Sequence, residues 1–454
     1  MWYEACVERG VLPPFSGGHV RPGTLILLLA AALALVPGPA PARRGADTLD
    51  VDAPGTLEFA PAPPESLPAA AARRHHARVP APEWLGPPFG ERLLTEPEVW
   101  RARHRRGGFR LDPVGDYNRV DGVRLGAAAE TQDPGSMLPR LGGRIEYALG
   151  RKRTTYGVQL EQPLLPRARL GLGVSAVRRT DHSDLQQVDD VENSLALLFA
   201  RQDYRDYFER EGFGAYLAWR VPAWSVVSVH VRNDTYRSLA HLPDTRSWFA
   251  RDRGLRDNPP VAEGEAHAVL LRLERQPRRA RRAHAGLYHW VELERAGAGL
   301  GGDFTYTRGL ADVRSVLRLT PGTTLVLRGA AGAAPAGVLP PQKEFTLGGV
   351  DGLRAHAFAR FRGDRLLLGQ AEGMVALPVP GRPGRTAAHA IVFVDAGDAW
   401  TAPGHAWAPA QRRIKVDGGL GLTTAEDNMR IYVARDLQRA RASAQVSVRL
   451  QRPF

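Results

Sequence analysis

The sequence predicts an all-β protein: a transmembrane antiparallel β-barrel of 16 strands. Three observations predict it. Hydrophobicity alternates with period two from Asn118 onward, many alternating runs reach the roughly 9–11 residues that cross a membrane when tilted, and no stretch beyond the N-terminal leader is apolar enough for a membrane helix. The 454 residues are 43% hydrophobic and 7% aromatic, too apolar for a disordered chain. With 48 Gly and 36 Pro, the composition is also too Gly-rich for a helix bundle. The net charge of +13 comes almost wholly from Arg, since Lys occurs only at Lys152, Lys343 and Lys415. These charges alternate with apolar residues and form no basic patch, so no nucleic-acid partner is expected. A single cysteine, Cys6, excludes a disulfide scaffold and a Cys-based zinc site.

The elements follow in chain order. Thr24 to Val36 reads TLILLLAAALALV, with Arg21 before it, helix breakers at Pro37, Gly38 and Pro39, and an A-x-A site at Ala40-Pro41-Ala42. That run is short of the about 20 residues a spanning helix needs and has the plan of a secretory signal peptide. Residues 1–42 are therefore expected to be a signal peptide, whose cleavage also removes Cys6. Residues 43–115 are rich in Pro, Ala and Arg, a linker composition expected to be periplasmic, with one short helix predicted around Glu96 to His104.

From Asp116 to Phe454 the chain is expected to form the barrel. Phe213, Leu217 and Trp219 alternate with Gly214, Tyr216 and Arg220; Val227, Val229 and Val231 alternate with Ser228, His230 and Arg232. Met429, Ile431 and Val433 face away from Arg430, Tyr432 and Ala434. A soluble β-sandwich would alternate in the same way, so it is segment length that favours the membrane. About 15 strands can be read directly, and the even number usual in bacterial barrels raises the expectation to 16. Three connections are long. Asp181 to Glu211 holds a predicted amphipathic helix with Val191, Leu195, Leu198 and Phe199 on one face; 237–264 is polar and Pro-rich; and 334–364 carries the most informative motif.

Bond chemistry finds little footing. Asp181-His182-Ser183-Asp184 has the letters of a triad, yet adjacent side chains cannot form the relay without partners from elsewhere. His75-His76 lacks a second ligand pair at metal spacing. The glycines of GLGVSAV and GGLGL sit in strand patterns and read as lumen-facing residues that ease curvature. No enzyme activity, cofactor or metal is expected.

Phe345 to Pro378 reads FTLGGVDGLRAHAFARFRGDRLLLGQAEGMVALP. Its Gly348-Gly349 turn, the tetrad Leu353-Arg354-Ala355-His356, Gly363 and the strand carboxylate Glu372 resemble the lumen-folded loop of the bacterial surface antigen family, the barrel-assembly and two-partner-secretion superfamily. Two positions depart from that pattern: Ala355 stands for the usual Gly and His356 for the usual aromatic, which bears on the tight turn at the loop tip. Phe393-Val394-Asp395-Ala396-Gly397 is similar to the family's F-x-D-x-G strand, and DYNRVDGVRLG (Asp116 to Gly126) is weakly similar to its first strand. The resemblance implies that Arg354 crosses the lumen to Asp395, an arrangement suited to a guanidinium fork and a carboxylate. The chain end ASAQVSVRLQRPF, with Val446, Val448, Leu450 and Phe454 on one face, resembles the C-terminal signal of outer-membrane barrels.

The resemblance implies a bacterial outer-membrane protein that handles the insertion of polypeptides into that membrane or their passage across it. Its implied partners are outer-membrane lipid, the barrel-assembly machinery during biogenesis, and unfolded polypeptide clients. The family's periplasmic modules have no counterpart in the Pro/Ala-rich segment, which leaves open a passive pore or structural barrel without a client. A surface enzyme at the lumen mouth is the weakest alternative.

Overall fold

The computed structural model describes residues 108–450 except 133–137, 166–168, 184–187, 222–224, 244, 250–253, 276–284, 380–381, 403–413, 426–428 and 440–441. The signal peptide, the linker helix and Phe454 lie outside the described residues. Strands β1 (Gly108–Asn118), β2 (Gly122–Gln132), β3 (Arg140–Ala148), β4 (Arg153–Leu165), β5 (Leu170–His182), β6 (Tyr207–Val221), β7 (Ser225–Ser238) and β8 (Gly264–Arg275) open the sheet. After β9 (Gly286–Ala296), β10 (Tyr306–Thr320) and β11 (Thr323–Gly337), two short strands, β12 (Phe345–Leu347) and β13 (Phe361–Gly363), form a separate ribbon. The sheet resumes with β14 (Arg365–Val379), β15 (Arg382–Trp400), β16 (Lys415–Thr424), β17 (Arg430–Asp436) and β18 (Gln445–Arg449). Sixteen strands thus pair in chain order in one antiparallel sheet with β1 and β18 at its ends.

β1 begins at Gly108, so its first half occupies residues read as linker. Pro113 lies in that half and gives the ladder no N–H donor. It is tolerated here because β1 is an edge strand with β2 as its paired neighbour.

The sheet is polarised the opposite way from a water-soluble one. Phe213, Leu217 and Trp219 of β6 are exposed, while Tyr216, Ala218 and Arg220 between them are buried. The same holds in β17, where Ile431 and Val433 are exposed and Arg430, Tyr432 and Ala434 are buried. Burial of that many charges requires pairing, and they are paired. Glu292 takes Arg272 at 2.9 Å and Arg308 at 3.3 Å; Asp312 takes Arg314 and Arg328. Glycines on this face make room for rings: a Cβ on Gly173 would lie 2.1 Å from the Tyr216 ring, and one on Gly419 would lie 2.7 Å from that of Phe393. The expectation that such glycines ease curvature therefore needs adding to, since they also seat aromatics.

One helix, α1 (Asp190–Ala200), stands between β5 and β6 where an amphipathic helix was predicted. Asp189 caps it by accepting from Val191 N–H, and at the other end Ser247 Oγ and Trp248 N–H donate to the carbonyls of Leu197 and Leu198. Its buried residues are Glu192, Asn193 and Leu197, whereas Val191 and Phe199 of the predicted apolar face are exposed. The wall that α1 meets is ionic, so the helix turns polar residues toward it. The sheet curls far enough for α1 to touch both of its ends, β1 through Ser194 and β18 through Glu192.

Candidate functional site

The segment 338–364 lies against the buried face of the sheet, and the Gly348-Gly349 turn sets its path. Both glycines have positive φ, +118° and +86°, and a Cβ on Gly348 would stand 2.4 Å from the Ala357 carbonyl oxygen. Gly349 N–H donates to the carbonyls of Leu353 and His356, which closes the tip into a compact loop. Leu353 anchors it, fully buried in a cluster with Phe345, Leu347, Leu366 and Leu368. Ala355, standing where the related pattern has Gly, is not among the residues with positive φ, so its methyl group costs the turn nothing.

That anchoring projects Arg354 onto the sheet. Its Nε and Nη2 donate to Asp395 at 2.8 and 2.9 Å as a two-pronged fork, and its Nη1 donates to Glu372 at 2.9 Å. The guanidinium carbon stands 3.7 Å from the centre of the Phe393 ring and 4.7 Å from that of Tyr432. Glu372 also accepts from Arg430 Nη1 at 2.7 Å and from the Tyr432 hydroxyl at 3.0 Å. Gln370 Nε2 supports Asp395 at 3.0 Å and reaches back to the Gly352 carbonyl. Gly397, the last residue of the F-x-D-x-G signature, leaves room for Leu347, whose Cδ2 a Cβ would meet at 3.1 Å.

Next along the loop, Ala355 N–H donates to Asp417 at 2.7 Å, and His356 Nδ1 stands 3.1 Å from the same carboxylate. His356 Nε2 faces Asp436 at 3.7 Å. Asp395 and Asp417 are direct partners in the β15–β16 register. Two carboxylates so placed repel each other. Successive loop residues serve them, Arg354 the first, Ala355 and His356 the second. The sequence reading did not single out Asp417, Asp436, Arg430 or Tyr432; their period-two position on polar strand faces was the available signal, and their target was not visible.

At the end of the sheet, Val446 and Val448 of β18 are exposed, Leu450 is half-buried, and Arg449 between the last two is buried. Arg449 Nε donates to Glu192 of α1 at 2.6 Å, and its Nη1 donates to Asp351 of the loop at 2.6 Å. Burial pushes the Glu192 carboxyl up to about 7; Arg449 opposes that rise, and Asp351 and Asp189 add to it. A carboxyl raised in the folded protein adds stability that is complete below about pH 4.5 and is lost as pH rises through 7. Changing Glu192 to Gln is expected to remove a pH dependence on the order of 3 kcal/mol across that window. Urea midpoints of both proteins at pH 4.5, 6 and 8 check it, and parallel curves would refute it.

Asp181 of the apparent triad is held by Arg179 and Arg210, and His182 Nδ1 faces the Ser183 carbonyl oxygen; Asp184 lies outside the described residues. Among the described residues no group of three or more His, Cys, Asp or Glu side chains could hold a metal ion.

No protein-family model matches the sequence, and no curated protein matches it. The fold has solved counterparts. The chain is similar to BamA from Haemophilus ducreyi lacking POTRA domains 1–3, with a TM-score of 0.52 and 12% identity over 76% of this chain and 70% of that one. It also aligns with CdiB from Acinetobacter baumannii (TM-score 0.42, 14% identity, 76% of this chain and 59% of that one). For CdiB from Escherichia coli the values are 0.40, 10%, 75% and 61%. At such identity the BamA likeness establishes a shared fold.

Proposed function

We propose that the chain is an outer-membrane β-barrel related to barrel-assembly and polypeptide-secretion factors, handling insertion of proteins into the outer membrane or their translocation across it. The observation that carries this reading is the inverted sheet, with an apolar exposed face and a buried ionic face crossed by a loop that Arg354 pins to Asp395 and Glu372. An exposed face of that kind suits lipid, and a polar interior suits a barrel lumen. In this reading the tetrad Leu353 to His356 and its partners Glu372, Phe393, Asp395 and Gly397 fix the lumen loop. The C-terminal residues Val446, Val448, Leu450 and Phe454 serve recognition by the assembly machinery in the same reading. Work on the client is mechanical: the ends of β1 and β18 offer strand edges for β-augmentation.

The mature protein is expected to begin near Arg43 and to fractionate with the outer membrane. An intact N-terminus in a soluble cytoplasmic fraction, seen by mass spectrometry, would end the barrel reading. Function is tested by depleting the protein and quantifying the outer-membrane and secreted proteomes. Loss of particular outer-membrane or secreted proteins is expected; unchanged proteomes would favour the passive pore.

A further inference from the structure

Helix α1 joins the two ends of the sheet, and it does so through a single turn. On β1, the Tyr117 N–H donates to Ser194 Oγ at 2.8 Å, and that hydroxyl donates in turn to the Asp190 carbonyl at 2.6 Å. The Tyr117 hydroxyl and the Arg246 backbone meet at 2.8 Å, which fixes the same strand end to the segment that caps α1. On β18, the buried Arg449 donates to Glu192, two residues before Ser194. Among the described residues no ladder joins β1 to β18. A backbone donor at a strand end is therefore satisfied by a helix side chain, and the opposite end is held by the hydrogen bond from Arg449 to Glu192 of that helix.

We propose that α1 is a latch holding β1 and β18 together, with Arg449 as the residue that couples it to the lumen loop. Arg449 divides its donors between Glu192 of the helix and Asp351, next to the Gly348-Gly349 turn of the loop. The two ends cannot separate without parting Arg449 from Glu192 or Tyr117 from Ser194. Movement of the pinned loop would pull on the same guanidinium. Glu192 Oε2 is buried and has no hydrogen-bond partner, so the latch is under-satisfied on one side and releases at lower cost than a fully bonded pair. A strand from another polypeptide can then reach the edge that α1 covers. This deepens the proposed function and rests on its barrel, not on the identity of any client.

The test places spin labels on the exposed faces of the two strands. The labels replace Leu111, 67% exposed on β1, and Val446, 64% exposed on β18, as Leu111→Cys and Val446→Cys; Cys6→Ser removes the native thiol from any protein that keeps its leader. The protein as isolated from the outer membrane is measured in lipid nanodiscs by double electron–electron resonance after a heat-modifiable gel shift has been recorded for each variant. The latched protein should give one narrow distance. Glu192→Ala, Arg449→Ala and Ser194→Ala should each lengthen or broaden it by about one strand spacing, roughly 5 Å. Glu161→Gln, which disturbs the buried pair with Arg220, is the control and should leave the distance unchanged. Unchanged distances in the latch variants, or an equal change in the control, overturn the latch. Where Glu192→Ala or Arg449→Ala does not fold, Ser194→Ala, which removes one hydroxyl, decides the question. Absence of a gel shift in the unmutated protein instead overturns the barrel, so the two failures are distinguishable.

Discussion

Changing Arg354 to alanine is expected to destabilise the protein by about 3–5 kcal/mol, because it strands buried carboxylates on two strands at once. Asp395→Ala should cost less. It leaves Arg354 with Glu372, whereas loss of the guanidinium leaves Asp395 with Gln370 and places it opposite Asp417 with no counter-charge from Arg354. Arg354→Lys should recover little, since an ammonium can neither fork to Asp395 nor lie flat over Phe393 at 3.7 Å. The double mutant should be no worse than the poorer single, with a coupling of roughly 1–3 kcal/mol. Urea unfolding followed by tryptophan fluorescence measures the four variants against the unmutated protein. Additive losses would mean that the pair is not an energetic unit, whatever its geometry.

Legibility in the sequence followed the range of the interaction. Strands such as β6 and β17 could be read from alternation, because a strand's two faces are written two residues apart. Which face is buried was not written there, since a sandwich alternates identically, and only segment length pointed to the membrane. The first half of β1 fell within the Pro-, Ala- and Arg-rich stretch read as linker, and an edge strand can carry the Pro113 found there. Arg354 and Asp395 could be paired through a spaced motif. His356 could not be matched to Asp417 and Asp436, because that needs the register of β15, β16 and β17. The pattern that marked α1 as amphipathic did not say which face it buries: Val191 and Phe199 are exposed, and Glu192 and Asn193 are buried with Leu197. Arg449, the residue that meets both the helix and the loop, was visible as one more polar residue on the last strand.

Gly363→Ala should destabilise the protein on the order of 3 kcal/mol or more. Gly363 ends β13, immediately before the turn into β14, and an ideal Cβ there would stand 1.9 Å from the Trp400 carbonyl carbon and 2.1 Å from its oxygen. Those atoms are backbone at the end of β15, so no side-chain rotation relieves the clash. Relief requires β13 to lift away from β15, which breaks its three-residue ladder with β12, Phe345 to Gly363 through Leu347 to Phe361. The loop carrying Arg354 hangs between those two strands, so the strain reaches the pair with Asp395 as well as the ribbon. Gly329→Ala in β11 is the matched control: a Cβ there meets nothing within 4 Å. Its unfolding midpoint should stay within about 0.5 kcal/mol of the unmutated protein. Equal midpoints for the two variants would show that β13 has slack against Trp400, and the ribbon could then not be what holds the loop at its base.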